Sequence, residues 1–518
     1  MFKIVHDAIL WIFSSDNSPN KSDFSYSKNE ALNPLKKLAS QTAIYGVSSI
    51  VGRFLNYLLV PLYTRFFSTA EYGVVSEFYA YTGFFAVLLT FGMETGYFRF
   101  SNDSKYKNVY TTLLAFLSVI SIAFIVLIYF LSGNLAQLLH YEGYEYYFIW
   151  FAFILALDTL GALPFAQLRQ EEHAKRFATT KLVEIAVNIG LNIIFVIAKS
   201  EYDSGSDSFI GSLYNPQIGV GYIFIANLAS SVVKLLLLAD KFFILEFSID
   251  TNLLRNALSY SFPMVIIGFA GIINEMLDRS MMKFLLPGTV NENLAQLGIY
   301  SACYKISIVM SLFIQAFRFA AEPFFFSHAK DNKAPKLYAD VMRWFVWFCS
   351  VIFIVVVIFT NEFGFFVGKD FRSGLFIVPI LLLANLMLGI YVNLSIWYKL
   401  TDKTFIGSLV SIAGAMITIA FILQLVPVYG YAGAAWATLF CYCFMVVASY
   451  LLGRKYFPVP YDLGKIAAYI LLCIFVWFIS VNYFNDNVLI HKIMLTLLMI
   501  VLLVIIDLKA WLNFLKRV

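Results

Sequence analysis

The sequence predicts an all-α polytopic membrane protein of about 14 transmembrane helices, arranged as two parallel-repeat six-helix bundles followed by two further helices. Three observations predict it. Of 518 residues, 60% are hydrophobic and only 13% charged, with a mean hydropathy of +0.77, outside the range of soluble domains. The apolar residues gather in runs of about 20 or more, the length that crosses a bilayer core. One unusual arrangement also occurs twice: an arginine inside an apolar helix, Pro eight positions on, then a Gly-led helix.

Residues 1–37 read as a cytoplasmic tail. The apolar stretch near Ala8 to Phe13 is too short for a secretory signal and lacks a small-residue cleavage site. Ser14 to Asn33 is rich in Ser, Asn, Asp and Lys, a composition that cannot bury a core. Spans follow near 38–62, 72–98, 108–131, 146–167, 176–198 and 218–239, forming an amino-terminal lobe over 38–240. A second lobe over 253–453 has spans near 256–285, 296–318, 337–360, 374–398, 404–426 and 431–453. A final pair, near 464–483 and 489–508, lies in the remaining segment 454–518.

Orientation follows from Lys and Arg, which concentrate in cytoplasmic loops. With the amino terminus inside, the outer side collects only Arg65, Lys199, Lys283, Lys369, Arg372 and Lys492. Five more fall within spans: Arg53, Lys234, Arg279, Lys305 and Arg318. The rest of the 37 are cytoplasmic, and an even number of spans returns Lys516 and Arg517 to the same side. The net charge of +5 is therefore mostly topology and does not mark a nucleic-acid partner. All five cysteines fall inside predicted spans without a CxxC, so neither a disulfide framework nor a metal site is expected.

The repeat organises the chain. Arg53 and Pro61 correspond to Arg279 and Pro287 at an offset of 226, and Gly73, Ser76 and Tyr79 to Gly298, Ser301 and Tyr304 at 225. Six spans separate the two arginines, so the lobes share one orientation and are related by an axis along the membrane normal. A second match, GVGYIFIA from Gly219 with VYGYAGAA from Val428, opens the sixth and twelfth spans.

The run PLYTRFFSTAEYGVVS from Pro61 to Ser76, LGIYSACY from Leu297 to Tyr304 and GYAGAAWAT from Gly430 to Thr438 resemble the Wzx-type oligosaccharide flippases of the multidrug/oligosaccharidyl-lipid/polysaccharide exporter superfamily. The resemblance covers nearly everything after residue 35. It implies two bundles around a central cavity in the bacterial cytoplasmic membrane. It also implies transport of a polyprenyl-pyrophosphate-linked oligosaccharide, such as an O-antigen unit, to the outer leaflet by alternating access. Polysaccharide polymerase and chain-length machinery are the partners such a protein would meet.

The residues themselves lead to a compatible chemistry. A cation in mid-span costs about 2.5–3.5 kcal/mol on insertion scales, so it must face protein or water. Arg53 and Arg279 sit roughly 12 Å inside the outer end, and Lys305 reaches a similar depth. Three cations at one level make a seat for a pyrophosphate. The structural alternative for Arg279 is neutralisation by Glu275, four residues earlier, or by adjoining Asp278. Arg53 shares its face with Ser49 and Asn56 and is expected to be the freer ligand.

Arg318 and Glu322, four apart, are either an inner gate or a plain interfacial ion pair. Lys234, near a span end, reads as a snorkelling side chain. No P-loop sequence occurs, so an ion gradient is the natural drive. Glu94, Asp158 and Glu184, with Asn188 and Asn192 on the same stripe as Glu184, are candidates to hold Na⁺ or H⁺, against a role in interhelical hydrogen bonding. No other cofactor is expected. Other readings are a lipid II flippase or a multidrug exporter of the same superfamily, although a cationic-drug cavity would not carry cations on both lobes. A membrane polymerase or glycosyltransferase is a further alternative, but no catalytic constellation is found, which favours a transporter over an enzyme.

Overall fold

The computed structural model describes residues 50–508 except 102, 104, 105, 107, 206, 207, 244–248, 329–333 and 484–487. The predicted tail, the start of the first span, Ser49 and the carboxyl-terminal Lys516 and Arg517 lie outside the described residues. The amino-terminal lobe contains α1 (described from residue 50 to 57, then continued by Val60–Phe66), α2 (Thr69–Thr90, continued by Met93–Phe100), α3 (Val109–Leu138), α4 (Glu145–Gln170), α5 (Ala174–Asp203) and α6 (Gly221–Leu237). The second lobe contains α7 (Thr251–Leu285), α8 (Val290–Ser327), α9 (Ala334–Ile358), α10 (Val378–Leu394), α11 (Thr404–Tyr429) and α12 (Tyr431–Tyr456), followed by α13 (Leu463–Tyr483) and α14 (Leu489–Ile506). Each of the expected spans falls on one of these helices, the first from residue 50 onward. Twelve helical stretches are long and apolar enough to cross a membrane, and α6 is shorter at 17 residues. No strand occurs among the described residues.

The repeat extends to the way helices begin. Ser68 starts α2 with a capping box: its backbone N–H donates to Glu71 Oε2 at 2.8 Å and its hydroxyl accepts from the Glu71 N–H at 3.3 Å. Thr289 and Glu292 start α8 in the same way, at 2.8 and 3.4 Å. Each box satisfies two of the donors a helix start leaves free. Gly430 alone turns α11 into α12, with φ +62° and ψ −146°, a region open to glycine and little else.

Two local expectations fail for clear reasons. Pro287 follows the end of α7, whereas Pro61 sits in the first turn of the Val60–Phe66 helix and continues the rod after a two-residue turn. Proline lacks an N–H that a first turn does not need, so it fits there. The second span is also broken: Phe91 and Gly92 are both left-handed, at φ +47° and +66°, and the helix resumes at Met93.

The lobes meet where α2 crosses α8. A Cβ on Gly73 would lie 2.0 Å from the Leu294 carbonyl oxygen, and one on Gly298 would lie 1.9 Å from that of Thr69. The repeat-related glycines thus form a single backbone-to-backbone contact that tolerates no side chain. α7 runs beside α2, with Ile272 against Gly83 and Val87 against Gly268. At the same end, which the charge asymmetry assigns to the outer face, the Gly368 N–H donates to Thr64 Oγ1 at 2.9 Å and Arg65 donates to the Phe365 carbonyl at 3.1 Å.

α13 and α14 are fastened to α9 near both of its ends. Asp507, fully buried after α14, accepts from Lys465 at 2.5 Å and from the Tyr469 hydroxyl, with Arg343 of α9 at 3.7 Å. At the other end, buried Lys492 pairs with Glu362 at 2.7 Å. Lys492 and Lys283 are therefore not loop cations, as their place in the sequence suggests, but buried helix residues. Their removal from the outer tally sharpens the charge asymmetry.

Candidate functional site

Arg279 lies buried on α7, with its guanidinium carbon 4.0 Å from the centroid of the Tyr304 ring on α8. Its Nη1 donates to the Glu275 main-chain carbonyl at 2.9 Å, while Nη2 is buried with no hydrogen-bond partner among the described residues. Of the two carboxylates considered as its neutralisers, Asp278 forms an ion pair with Arg279 and Glu275 does not, among the described residues. Glu275 is exposed and makes no ion pair among the described residues. Asp278 stands at 3.9 Å, and its oxygens are engaged elsewhere: Oδ1 accepts from the Arg279 N–H at 2.8 Å and Oδ2 from the Tyr300 hydroxyl. The aromatic face holds the cation by its quadrupole and leaves one edge of the guanidinium, Nη2, unpaired.

Lys305 follows Tyr304 on α8, half-buried, and it has no hydrogen bond or ion pair among the described residues. Arg279 and Lys305 thus flank one tyrosine in the second lobe. Arg53 is exposed on α1 and also makes no ion pair among the described residues. Beside it Asn56 accepts from Asn188 of α5 at 3.4 Å, and Asn188 in turn accepts from Asn192 at 3.0 Å. No described contact joins Arg53 directly to Arg279 or Lys305, so Arg53 stands apart from the other two cations.

The Arg318–Glu322 pair exists, at 3.6 Å, but Glu322 is held more closely by Lys399, which follows α10, at 2.5 Å. All three belong to the second lobe, and the Arg318 side chain is 59% exposed. The pair itself bridges no gap between lobes in this conformation.

The carboxylates considered for ion coupling all carry protein cations. Glu94 pairs with Arg169, and Asp158 with Lys234. Lys234 reaches Glu184 at 3.0 Å, as does Lys181, and Ser231 donates to Asp158 at 2.7 Å. Lys234 is 3% exposed and therefore does not snorkel. Gly161 of α4 makes room for its stem, since a Cβ there would come within 3.2 Å of Lys234 Cε. Isolated, this ammonium could not stay in a low-dielectric interior, and the two carboxylates resolve that.

A second buried pair links α2 and α7. Glu77 of α2 and Lys283 of α7 meet at 2.8 Å with side chains 0% and 1% exposed, one from each lobe. Glu77 also accepts from the hydroxyls of Tyr81 and Tyr141, each at 2.5 Å, and Lys283 donates to the Leu139 carbonyl at 2.7 Å. Lys283 is one turn beyond Arg279 on the same helix face.

The family described as polysaccharide biosynthesis protein matches residues 38–329. The chain belongs to this family. No curated protein sequence matches it. Among solved structures, this polysaccharide biosynthesis protein is similar to the lipid II flippase MurJ in an inward closed conformation, with a TM-score of 0.69 and 15% identity over 90% of this chain and 99% of that one. It is also similar to an inward-facing multidrug resistance MATE transporter of the MOP superfamily, with a TM-score of 0.61 and 14% identity over 83% of this chain and 95% of that one. A third is a point mutant of the Vibrio cholerae MATE transporter VcmN, with a TM-score of 0.51 and 12% identity over 83% and 98%. At these identities the likeness shows a shared fold.

Sequence reasoning passed over Glu77 and Lys283. A signal was present in both cases. Glu77 interrupts a long apolar run directly after the repeat residue Ser76, and Lys283 repeats the Arg279 face at a spacing of four.

Proposed function

We propose that this polysaccharide biosynthesis protein is a flippase, not an enzyme, that carries a polyprenyl-pyrophosphate-linked oligosaccharide from the inner to the outer leaflet of the bacterial cytoplasmic membrane. The observation that carries the reading is the Arg279–Tyr304–Lys305 wall, where a guanidinium edge and an amine stand without partners among the described residues. Buried donors left unmet are costly, and a pyrophosphate supplies the acceptors they lack. Arg53, exposed on α1 and without an ion pair among the described residues, joins them when cargo is bound. A cationic drug is a poor match to such a wall. Fold likeness to a protein described as a lipid II flippase supports lipid-linked cargo, and membership of the polysaccharide biosynthesis family supports a glycan unit such as an O-antigen repeat.

Transport proceeds by alternating access, the glycine crossing and the Glu77–Lys283 pair closing the outer side while cargo enters from within. Arg318 and Glu322 serve the opposite gate, with Arg318 free to turn toward the first lobe when the inner side closes. An ion gradient drives the cycle through the α4–α5–α6 charges around Asp158, Glu184 and Asn188. A proton suits this group better than Na⁺, because Lys234 already fills the space between the two carboxylates. Polymerase and chain-length proteins receive the product outside.

The test is translocation in proteoliposomes, comparing a polyprenyl-pyrophosphate oligosaccharide with lipid II for the wild type and for Arg53→Ala, Arg279→Ala and Lys305→Ala at matched folded protein. Each lost charged hydrogen bond is expected to lower the rate about tenfold or more. Three variants at the wild-type rate would remove the pyrophosphate seat. A wild type that moves lipid II alone would move the cargo to the peptidoglycan branch.

A further inference from the structure

A cavity of about 370 Å³ opens in the amino-terminal lobe between the resumed end of α2 and helices α4, α5 and α6. Its volume is in the range of small-molecule sites, and its lining is unusual for a membrane protein. Glu94 and Arg169 form one side, while Asp158, Glu184, Lys234 and Lys181 form the other. These are three acids and three bases, so the lining carries no net charge. Phe165 and Phe177, in edge contact at 5.0 Å, complete it.

The charged side chains are not all sealed away. Glu94 is 43% exposed, Asp158 40%, and Arg169 and Lys181 about a third. Asp158 lies well inside a membrane-spanning helix, where a charge this open does not face lipid at a cost of several kcal/mol and so faces an aqueous space, while Glu94, Arg169 and Lys181 stand toward the end that the charge asymmetry assigns to the cytoplasm. The pairs also leave capacity unused. Arg169 Nε has no hydrogen-bond partner among the described residues, and each carboxylate has lone pairs beyond those its cation takes.

Such a lining selects by charge. A pyrophosphate would meet three carboxylates and a cationic ligand three cations, whereas a neutral group dense in hydroxyls finds donors and acceptors on every side. The phenyl rings offer an apolar surface to its C–H faces. Resting on the flippase reading above, we propose that this cavity seats the first sugars of the lipid-linked glycan, and that it selects neutral, hydroxyl-rich sugars over acidic ones. The pyrophosphate and the glycan are then held by different lobes, the first by the α7–α8 cations and the second by the α2–α4–α5–α6 cavity. A uronic acid would bring a fourth carboxylate into the cavity and bind more weakly than its neutral counterpart.

The experiment measures equilibrium binding to the purified full-length protein in lipid nanodiscs, without an ion gradient. The probes are undecaprenyl pyrophosphate bearing a neutral trisaccharide and undecaprenyl pyrophosphate without sugar. The double variant Glu94→Gln/Arg169→Gln removes both charges of one pair together and so leaves neither uncompensated. It should weaken binding of the trisaccharide lipid by about tenfold or more, and leave the sugar-free lipid at its wild-type affinity. Equal affinity of the wild type for the two probes, or an equal loss on both in the variant, overturns the glycan cavity while leaving the flippase reading intact. Failure of the wild type to bind either probe overturns both.

Discussion

Replacing Lys283 by Met removes the cation that neutralises Glu77 at the outer end. Both side chains are effectively inaccessible, so in the closed state the Glu77 carboxylate would keep only the Tyr81 and Tyr141 hydroxyls as donors. Breaking one half of a buried ion pair costs about 3–5 kcal/mol. When the lobes part at this end, Glu77 becomes hydrated and the penalty disappears, so the cost falls on the closed state alone. A bias of about 3 kcal/mol moves the closed-to-open equilibrium by roughly two powers of ten. Removing both charges, in Glu77→Gln/Lys283→Met, restores closure or strengthens it, because an apolar or neutral replacement avoids the desolvation of two ions. The assay is labelling of Ser280→Cys by a membrane-impermeant thiol reagent added from outside. Ser280 is buried on α7 and bonds only to the Leu277 carbonyl of its own helix, so the reporter disturbs little. Labelling should accelerate about a hundredfold in Lys283→Met and return to the wild-type rate in the double variant. A wild-type rate in the single variant, or equal acceleration in both, refutes the reasoning.

Two further outcomes follow from the geometry. Gly298→Ala places a methyl carbon 1.9 Å from the Thr69 carbonyl oxygen, far inside van der Waals contact, and must push α2 from α8; it should abolish transport and expose Ser280→Cys to the outside reagent, with Gly73→Ala behaving alike. Lys234→Met leaves Asp158 and Glu184 without their shared cation, although Glu184 retains Lys181. Melting in detergent should show a loss of about 1 kcal/mol, well short of the cost of a fully buried pair because Asp158 is 40% exposed, largely recovered when Asp158→Asn and Glu184→Gln are added.

Whether a feature is legible in the chain alone depends on whether it is carried by one segment or by the meeting of two. Span positions are carried by one segment, because twenty apolar residues must hydrogen-bond internally wherever they pack. The two-lobe repeat is legible for a similar reason, as Arg53 and Gly73 have counterparts in Arg279 and Gly298 at nearly constant offset. Partner choice is different. Glu275 is well spaced to neutralise Arg279, yet α8 brings Tyr304 against the guanidinium and Glu275 makes no ion pair with it. Lys234 has the position of a snorkelling residue until α4 and α5 bring Asp158 and Glu184 to it. Lys283 looks like a loop cation because its partner lies two hundred residues earlier in the chain. The break at Phe91–Gly92 had a weak local signal in its glycine, but a phenylalanine in the left-handed region is not something propensity anticipates.

The α2–α8 crossing also bears on how the two halves of the chain can diverge. A duplicated segment ordinarily leaves each copy free to drift, since a change in one is invisible to the other. Gly73 and Gly298 are each packed against the other copy's main chain, and a main chain has no side-chain variation with which to compensate. Any enlargement in one half is therefore felt at once by its sibling, and the two glycines are held in step by steric contact, whatever becomes of the cargo-facing residues around them.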